Sequence, residues 1–503
     1  MVPKSNKVAF EEALNMTGYA GYNVGVFLIC SSVIMGMCFE LFSVSYLVPA
    51  SVCELHTTNI QQGFLACIPL AGVIFTSPIW GYLADTRGRK KILIISMTMG
   101  FVAGILSTFS PNWIVLSLLK LLSSASIAGA FALSMTILGE CTPMAKRSGL
   151  VILSTSVFLM STGSMAVIAY PVLQFKFSYY IPVLDIQFNA WRVLCLIFAF
   201  PCLISVLGAT FIFESPKYLL SIGREKEAVE VLRRIYVMNT GKSGDTFEVD
   251  AVYLEEDSES TVPKGFFGSL AAKTGPLLRK PLLKNVILLS VLFVLCYICI
   301  NSFVVWLPFI INAIMTSVSE GNTNITACNM IELYQNSTTE ENQNLDCSMN
   351  SFAMIMVFVI HSILAVSNII MSALINVIGR KKIFIGIQMV AGVAALSVNS
   401  SPYWMLTGVL FMFFLTGIFN FGFLSTYSVD IFPTFVRAMA VSLTLMVGRA
   451  SAVIGINVLK QLLNNYCEYI FYTFGVLSCL GGIIGFLLPS EEKIFGQHKA
   501  VKP

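Results

Sequence analysis

The feature that most constrains this chain is repetition of apolar length. A bilayer's hydrocarbon layer, about 30 Å thick, needs about 20 apolar residues per helix. Runs of that size recur near 24–49, 63–83, 92–110, 114–139, 149–172, 192–213, 285–312, 352–375, 383–399, 403–428, 438–459 and 468–488. Charged residues make up 12% of the 503 residues, against about 25% in an ordinary soluble protein. The expected fold is therefore an all-α membrane protein with twelve transmembrane helices. The first 22 residues are polar, with Lys4, Lys7, Glu11 and Glu12. The first apolar run is too long for a signal-peptide core and is expected to remain as the first helix.

The placement of positive charge gives the orientation. Of the 31 Lys and Arg, only Lys176, Arg192 and Lys460 fall in segments assigned to the outer side, and Lys120 and Arg449 fall within helices. The short loops carrying Lys146 and Arg147, Arg380 to Lys382, and Arg437 agree, and the positive-inside rule weights such loops most. Both ends are thus expected on the cytoplasmic side. The domain reading is a cytoplasmic N-terminal segment (1–23), a six-helix bundle (24–213), a cytoplasmic linker with an amphipathic helix (214–284), a second bundle (285–488) with an outer loop (313–351), and a tail (489–503). In the linker, Ala228, Val231, Leu232 and Ile235 form a stripe at helical spacing. The polar stretch 239–284, with an acidic run from Glu255 to Glu259, reads as partly disordered.

The two bundles are related. The turn Gly88-Arg89-Lys90-Lys91 recurs as Gly379-Arg380-Lys381-Lys382, an offset of 291, and Glu140, Pro143 and Arg147 recur as Asp430, Pro433 and Arg437, an offset of 290. Two landmarks sharing almost one offset imply pseudo-symmetric six-helix halves, with a binding site near the midplane between them. The second copy is degraded: Asn376 stands where Asp85 would be, and Ser372 where Gly81 would be.

The first turn, Gly81 to Lys91 (GYLADTRGRKK), resembles the loop between the second and third helices of the major facilitator superfamily. Further stretches narrow the resemblance toward the synaptic vesicle glycoprotein 2 and organic ion transporter-like branch: the helix-one stretch with Glu40 and Pro49, FVVWLP (Phe303 to Pro308), FESPKYLL (Phe213 to Leu220) and DIFPTFVR (Asp430 to Arg437). Met37 occupies the place of that branch's helix-one aspartate, and Lys120 followed by SSASIAGA replaces an arginine and a glycine-rich run. The resemblance implies that Asp85, with Gly81, Gly88 and Arg89, latches the two halves, Asp85 lying near Arg147 and the start of helix eleven, whose dipole favours an anion. Glu140 with Arg147, and Asp430 with Arg437, read as matching inner-gate ion pairs.

Glu40, roughly 15 Å below the outer end of its helix, is an ionisable group where such groups face a bundle interior or a wet cavity. It is the first candidate for binding a cation or proton. Arg449, near the middle of helix eleven, is read as an anion ligand or as the partner of Glu40. Lys120 could snorkel to the outer face. His361 is a candidate proton relay, and Asn301 and Trp306 are candidates to line the cavity.

Asn324 and Asn336 head glycosylation tripeptides in the outer loop. Asn399 heads a third, set too near the membrane to favour. Cys328 and Cys347 fall in the same loop and are expected as a disulfide in an oxidising compartment; the other cysteines lie mostly in apolar runs as packing residues. No cofactor or metal-ligand spacing is present, and none of His56, His361 or His498 sits in a catalytic pattern, so an enzyme is not expected. No Walker-type run supports a primary pump. The reading is a monomeric secondary transporter in the plasma or a vesicle membrane. It would move a small organic, charged solute by alternating access, with a coupled proton or sodium ion and with no nucleic-acid partner. The alternatives are a transporter-like membrane component that no longer transports, and a sugar porter.

Overall fold

A computed structural model describes residues 7–254, 274–280, 282–340, 349–432 and 434–489. Its twelve membrane-length helices are span 1 (Gly21–Leu55), span 2 (Asn59–Arg87), span 3 (Arg89–Ser107), span 4 (Trp113–Glu140), span 5 (Met144–Leu173), span 6 (Ala190–Phe211), span 7 (Leu282–Ser319), span 8 (Ser351–Ile375), span 9 (Arg380–Ser400), span 10 (Trp404–Ser428), span 11 (Met439–Leu463) and span 12 (Cys467–Gly485). Span 1 runs past both expected ends because its helix resumes at Val44 and carries Pro49 internally. The basic turns mark the inner side.

The two halves meet along three lines. Span 2 packs on span 11, span 5 on span 8, and the outer part of span 1 (Val44–Leu55) on span 7. The repeated turns have one backbone solution. Gly88 ends span 2 and Gly379 ends the helix Ser351–Ile378, with φ of +102° and +90°. Only glycine enters that region without strain, and it lets the chain reverse with no intervening loop.

A small folded unit lies on the inner side. Strand β1 (Lys7–Ala9) pairs in parallel with β4 (Ala251–Tyr253), the latter inside the stretch expected as partly disordered. Helix Phe10–Met16 and the amphipathic helix Glu225–Thr240 close over them, burying Val8, Phe10, Leu14, Val229, Leu232 and Val252. The stretch 239–284, expected as partly disordered, is thus ordered from 239 to 254 and carries a 3-10 turn at Gly275–Leu278, while the acidic run Glu255 to Glu259 lies outside the described residues. On the outer side, β2 (Ser178–Ile181) and β3 (Ile186–Asn189) form an antiparallel hairpin between spans 5 and 6.

Candidate functional site

Glu40 does not face the other half. It is buried inside the first bundle, where Lys120 Nζ (3.0 Å) and Ser123 Oγ (2.7 Å) both donate to its Oε2. Lys120 and Ser123 are one turn apart on span 4 and so present both donors on one face. Gly104 of span 3 makes the room, because a Cβ there would collide with the Glu40 carboxylate. This corrects two expectations. The partner of Glu40 is Lys120 rather than Arg449, and Lys120, 1% exposed, does not snorkel. Oε1 of Glu40 is buried with no hydrogen-bond partner among the described residues.

Arg449 lies on the seam between the halves, where its Nη1 donates to Ser77 Oγ of span 2 at 3.3 Å. No carboxylate pairs with it among the described residues. Two turns outward, Asn457 Nδ2 donates to Cys67 Sγ, also of span 2, at 2.9 Å. Lys460 was expected outside the membrane but is 3% exposed within span 11. Its ammonium sits 4.1 Å from the Phe309 ring centre and 4.9 Å from that of Trp306.

A cavity of roughly water size lies between the halves, lined by Phe42, Ser45 and Tyr46 of span 1, Thr162 of span 5, Val304 and Pro308 of span 7, and His361 of span 8. His361 reaches it, but its Nδ1 lies 2.9 Å from the Val357 carbonyl of its own helix. Asn301 shares the helix face of Val304 and Pro308 by its spacing. Trp306 does not line the cavity. It points to the other side of span 7, where Nε1 donates to the Ile456 carbonyl at 3.1 Å.

On the inner side the expected gate residues are present but differently paired. Arg89 pairs with Glu140, and Arg380 with Asp430 at 2.5 Å. These two bridges are related by the internal repeat. Arg147, which begins the next helix beyond the Thr142-Pro143 break, turns away from Glu140 and meets Glu11 at 2.9 Å. The side chain of Arg437 lies outside the described residues. Asp85 is 74% exposed and lies 3.9 Å from Arg89. Gly81 faces open space. A residue not singled out above, Glu214, accepts from the backbone amides of Arg89 (2.9 Å) and Lys90 (3.0 Å), capping span 3 at its positive dipole end. Its position inside the FESPKYLL motif was the available signal.

On the outer side Arg192 is buried. It reaches Glu54 (2.6 Å) and the Thr108 carbonyl (2.7 Å), and Glu54 also accepts from Trp191 Nε1 (2.8 Å). Cys328 bonds to Cys467, not to Cys347, which lies outside the described residues. The helix Ala327–Glu340 lays Cys328, Met330 and Ile331 inward against the bundle, and that brings Cys328 to the start of span 12. Cys53 is also disulfide-bonded. Asn324 and Asn336 are exposed, whereas Asn399 is buried, donating to Glu468 Oε1 at 3.0 Å.

Two six-helix bundles with matching glycine turns and matching inner ion pairs, meeting around a central cavity, define an integral multi-pass membrane protein of the major facilitator fold. The chain belongs to the sugar (and other) transporter family, whose pattern matches residues 14–337. Among its relatives is synaptic vesicle glycoprotein 2C of Rattus norvegicus, 30% identical over 247 residues, covering 48% of this chain and 33% of that protein. Synaptic vesicle glycoprotein 2B of Homo sapiens is 25% identical over 244 residues, covering 48% and 36%. The putative transporter svop-1 of Caenorhabditis elegans is 26% identical over 238 residues, covering 47% and 43%. The matched stretch thus spans less than half the length of each. The inward-open structure of the xylose transporter XylE from E. coli superposes with a TM-score of 0.69 at 14% identity, over 95% of this chain and all of that one. A D-xylose–proton symporter structure gives 0.64 at 13%, over 94% of this chain and 99% of that one. Likeness at that identity establishes the fold.

Proposed function

We propose that this protein is a secondary transporter that moves a small organic anion by alternating access. One observation carries the charge of the solute. Arg449 sits in mid-membrane on the seam that must open and close, held by a single hydroxyl and by no carboxylate among the described residues. A guanidinium held at mid-membrane depth is costly without a counter-charge, and a carboxylate matches its fork of donors in two parallel bonds.

Glu40 and Lys120 supply the coupling in this reading. Protonation of Glu40 neutralises the carboxylate that holds Lys120 and loosens span 4 against span 1. Proton coupling also suits a fold shared with a D-xylose–proton symporter. Asp85, Arg89, Glu140, Asp430 and Glu214 serve as the inner hinge and gate. Asn324 and Asn336 are proposed glycosylation sites on the exposed outer loop.

The test is uptake into proteoliposomes under an imposed pH gradient, with radiolabelled organic anions, organic cations and sugars in parallel. Anion uptake is expected, lowered at least tenfold by Arg449→Ala. Glu40→Gln should retain exchange and lose gradient-driven accumulation. Uptake left unchanged by both substitutions together would sink the assignment.

A further inference from the structure

We propose that Lys460, with Trp306 and Phe309, is a second anion site at the outer end of the seam, which receives the carboxylate of the solute before Arg449 does. The inference rests on the anionic reading given above and adds to it an entry station and its chemistry.

An ammonium has three donors and no acceptor. Lys460 is 3% exposed as a residue, and its ammonium makes no hydrogen bond or ion pair with a described residue. The two ring faces attract it but accept no conventional hydrogen bond, so its donors are left to be satisfied. Trp306 is fixed for this task by its bond to the Ile456 carbonyl, one turn below Lys460 on span 11. A carboxylate would complete the set, since its two oxygens offer about four lone-pair positions, while the rings of Trp306 and Phe309 would cover an apolar body attached to it.

The position suits entry. Lys460 lies eleven residues after Arg449, which is three helical turns plus about 20°, so the two residues leave span 11 on nearly the same side, Arg449 reaching Ser77 of span 2 and Lys460 turning onto the span 7 rings. They are separated by about 16 Å along the helix, and Asn457, bonded to Cys67 of span 2, marks the seam between them. Around Lys460 both supporting helices abut the first half, span 7 on the outer part of span 1 and span 11 on span 2. Parting of the halves on the outer side would therefore uncover Lys460 first.

The experiment uses the full chain in lipid nanodiscs, titrated with acetate, benzoate and decanoate, and with sulfate, tetraethylammonium and glucose as contrasts. Binding is read by tryptophan fluorescence and by the unfolding temperature. At least one carboxylate is expected to bind, at least tenfold more weakly after Lys460→Gln and less than threefold more weakly after Lys460→Arg. Sulfate should bind more weakly than the best carboxylate, because it has no body to lie against the rings; sulfate binding as tightly would overturn the carboxylate assignment. Wild-type affinity in Lys460→Gln, with loss in Arg449→Ala, overturns this site and leaves the anionic reading standing. Binding of tetraethylammonium or glucose, with no carboxylate bound, overturns both. Should Lys460→Gln fail to fold, acylation of the wild-type Lys460 amine by an N-hydroxysuccinimide ester is followed by mass spectrometry. Protection by a carboxylate supports the site, and equal labelling with and without all three overturns it.

Discussion

The two halves descend from one pattern but differ in how they partner the cations set within their spans. In the first half three cations that are buried or nearly so meet carboxylates: Lys120 meets Glu40, Arg192 meets Glu54, and Arg89 meets Glu140. In the second half Arg380 meets Asp430, but Arg449 and Lys460 have only a hydroxyl and two aromatic rings among the described residues. The difference separates two jobs. Pairs closed within one bundle hold that bundle's helices together. In the function proposed above, Arg449 and Lys460 keep their charge available to the solute.

The comparison breaks most visibly at Lys120. Replacing it with Met leaves Glu40 buried with Ser123 as its remaining donor, and removal of one partner from a buried pair costs about 3–5 kcal/mol. Chemical denaturation in detergent should show a loss of that size. Adding Glu40→Gln should recover most of it, because the two residues act as one unit. A Lys120→Met variant within about 1 kcal/mol of wild type would mean that the pair is not what binds span 4 to span 1.

A smaller contrast separates the two glycine turns. Gly88→Ala and Gly379→Ala both force a side chain into positive φ, at about 1–3 kcal/mol each. Gly379 has open space around the new methyl, whereas at Gly88 it would lie 2.6 Å from the Glu214 carboxylate that caps span 3. The first substitution should therefore lower the unfolding temperature further. Equal shifts would show that Glu214 yields easily and that the first turn is no more tightly bound than its copy.

Much of this architecture was legible in the sequence because it depends on one-dimensional patterns. Apolar runs announced the spans, and the shared offset picked out Gly88, Gly379, Arg89, Glu140 and Asp430. An offset shows which positions correspond but not which touch, so Glu140 was matched with nearby Arg147 instead of Arg89. Glu40 was correctly marked as costly, yet its partner depends on a space left by Gly104 on span 3 and a hydroxyl at Ser123 on span 4. Neither is visible from span 1. Glu54 with Arg192, and Cys328 with Cys467, are pairings 138 and 139 residues apart that only the packed bundle brings together. Lys460 was lost to a boundary error of a single residue, which put it in water rather than between two rings.

The smallest change in stability should come from Arg449, and that is what makes it informative. Arg449→Gln gives up one hydrogen bond to Ser77, worth about 0.5–1.5 kcal/mol, and also removes a mid-membrane charge that no carboxylate among the described residues offsets. The two terms oppose each other, so denaturation should move by less than about 1 kcal/mol in either direction. Uptake of the anion should nonetheless collapse. A residue that supports the bundle would show the reverse, with stability falling several kcal/mol as it does for Lys120 and transport lost only because the protein unfolds. Measuring both quantities on the same preparation therefore decides whether the charge on the seam belongs to the protein or to its solute.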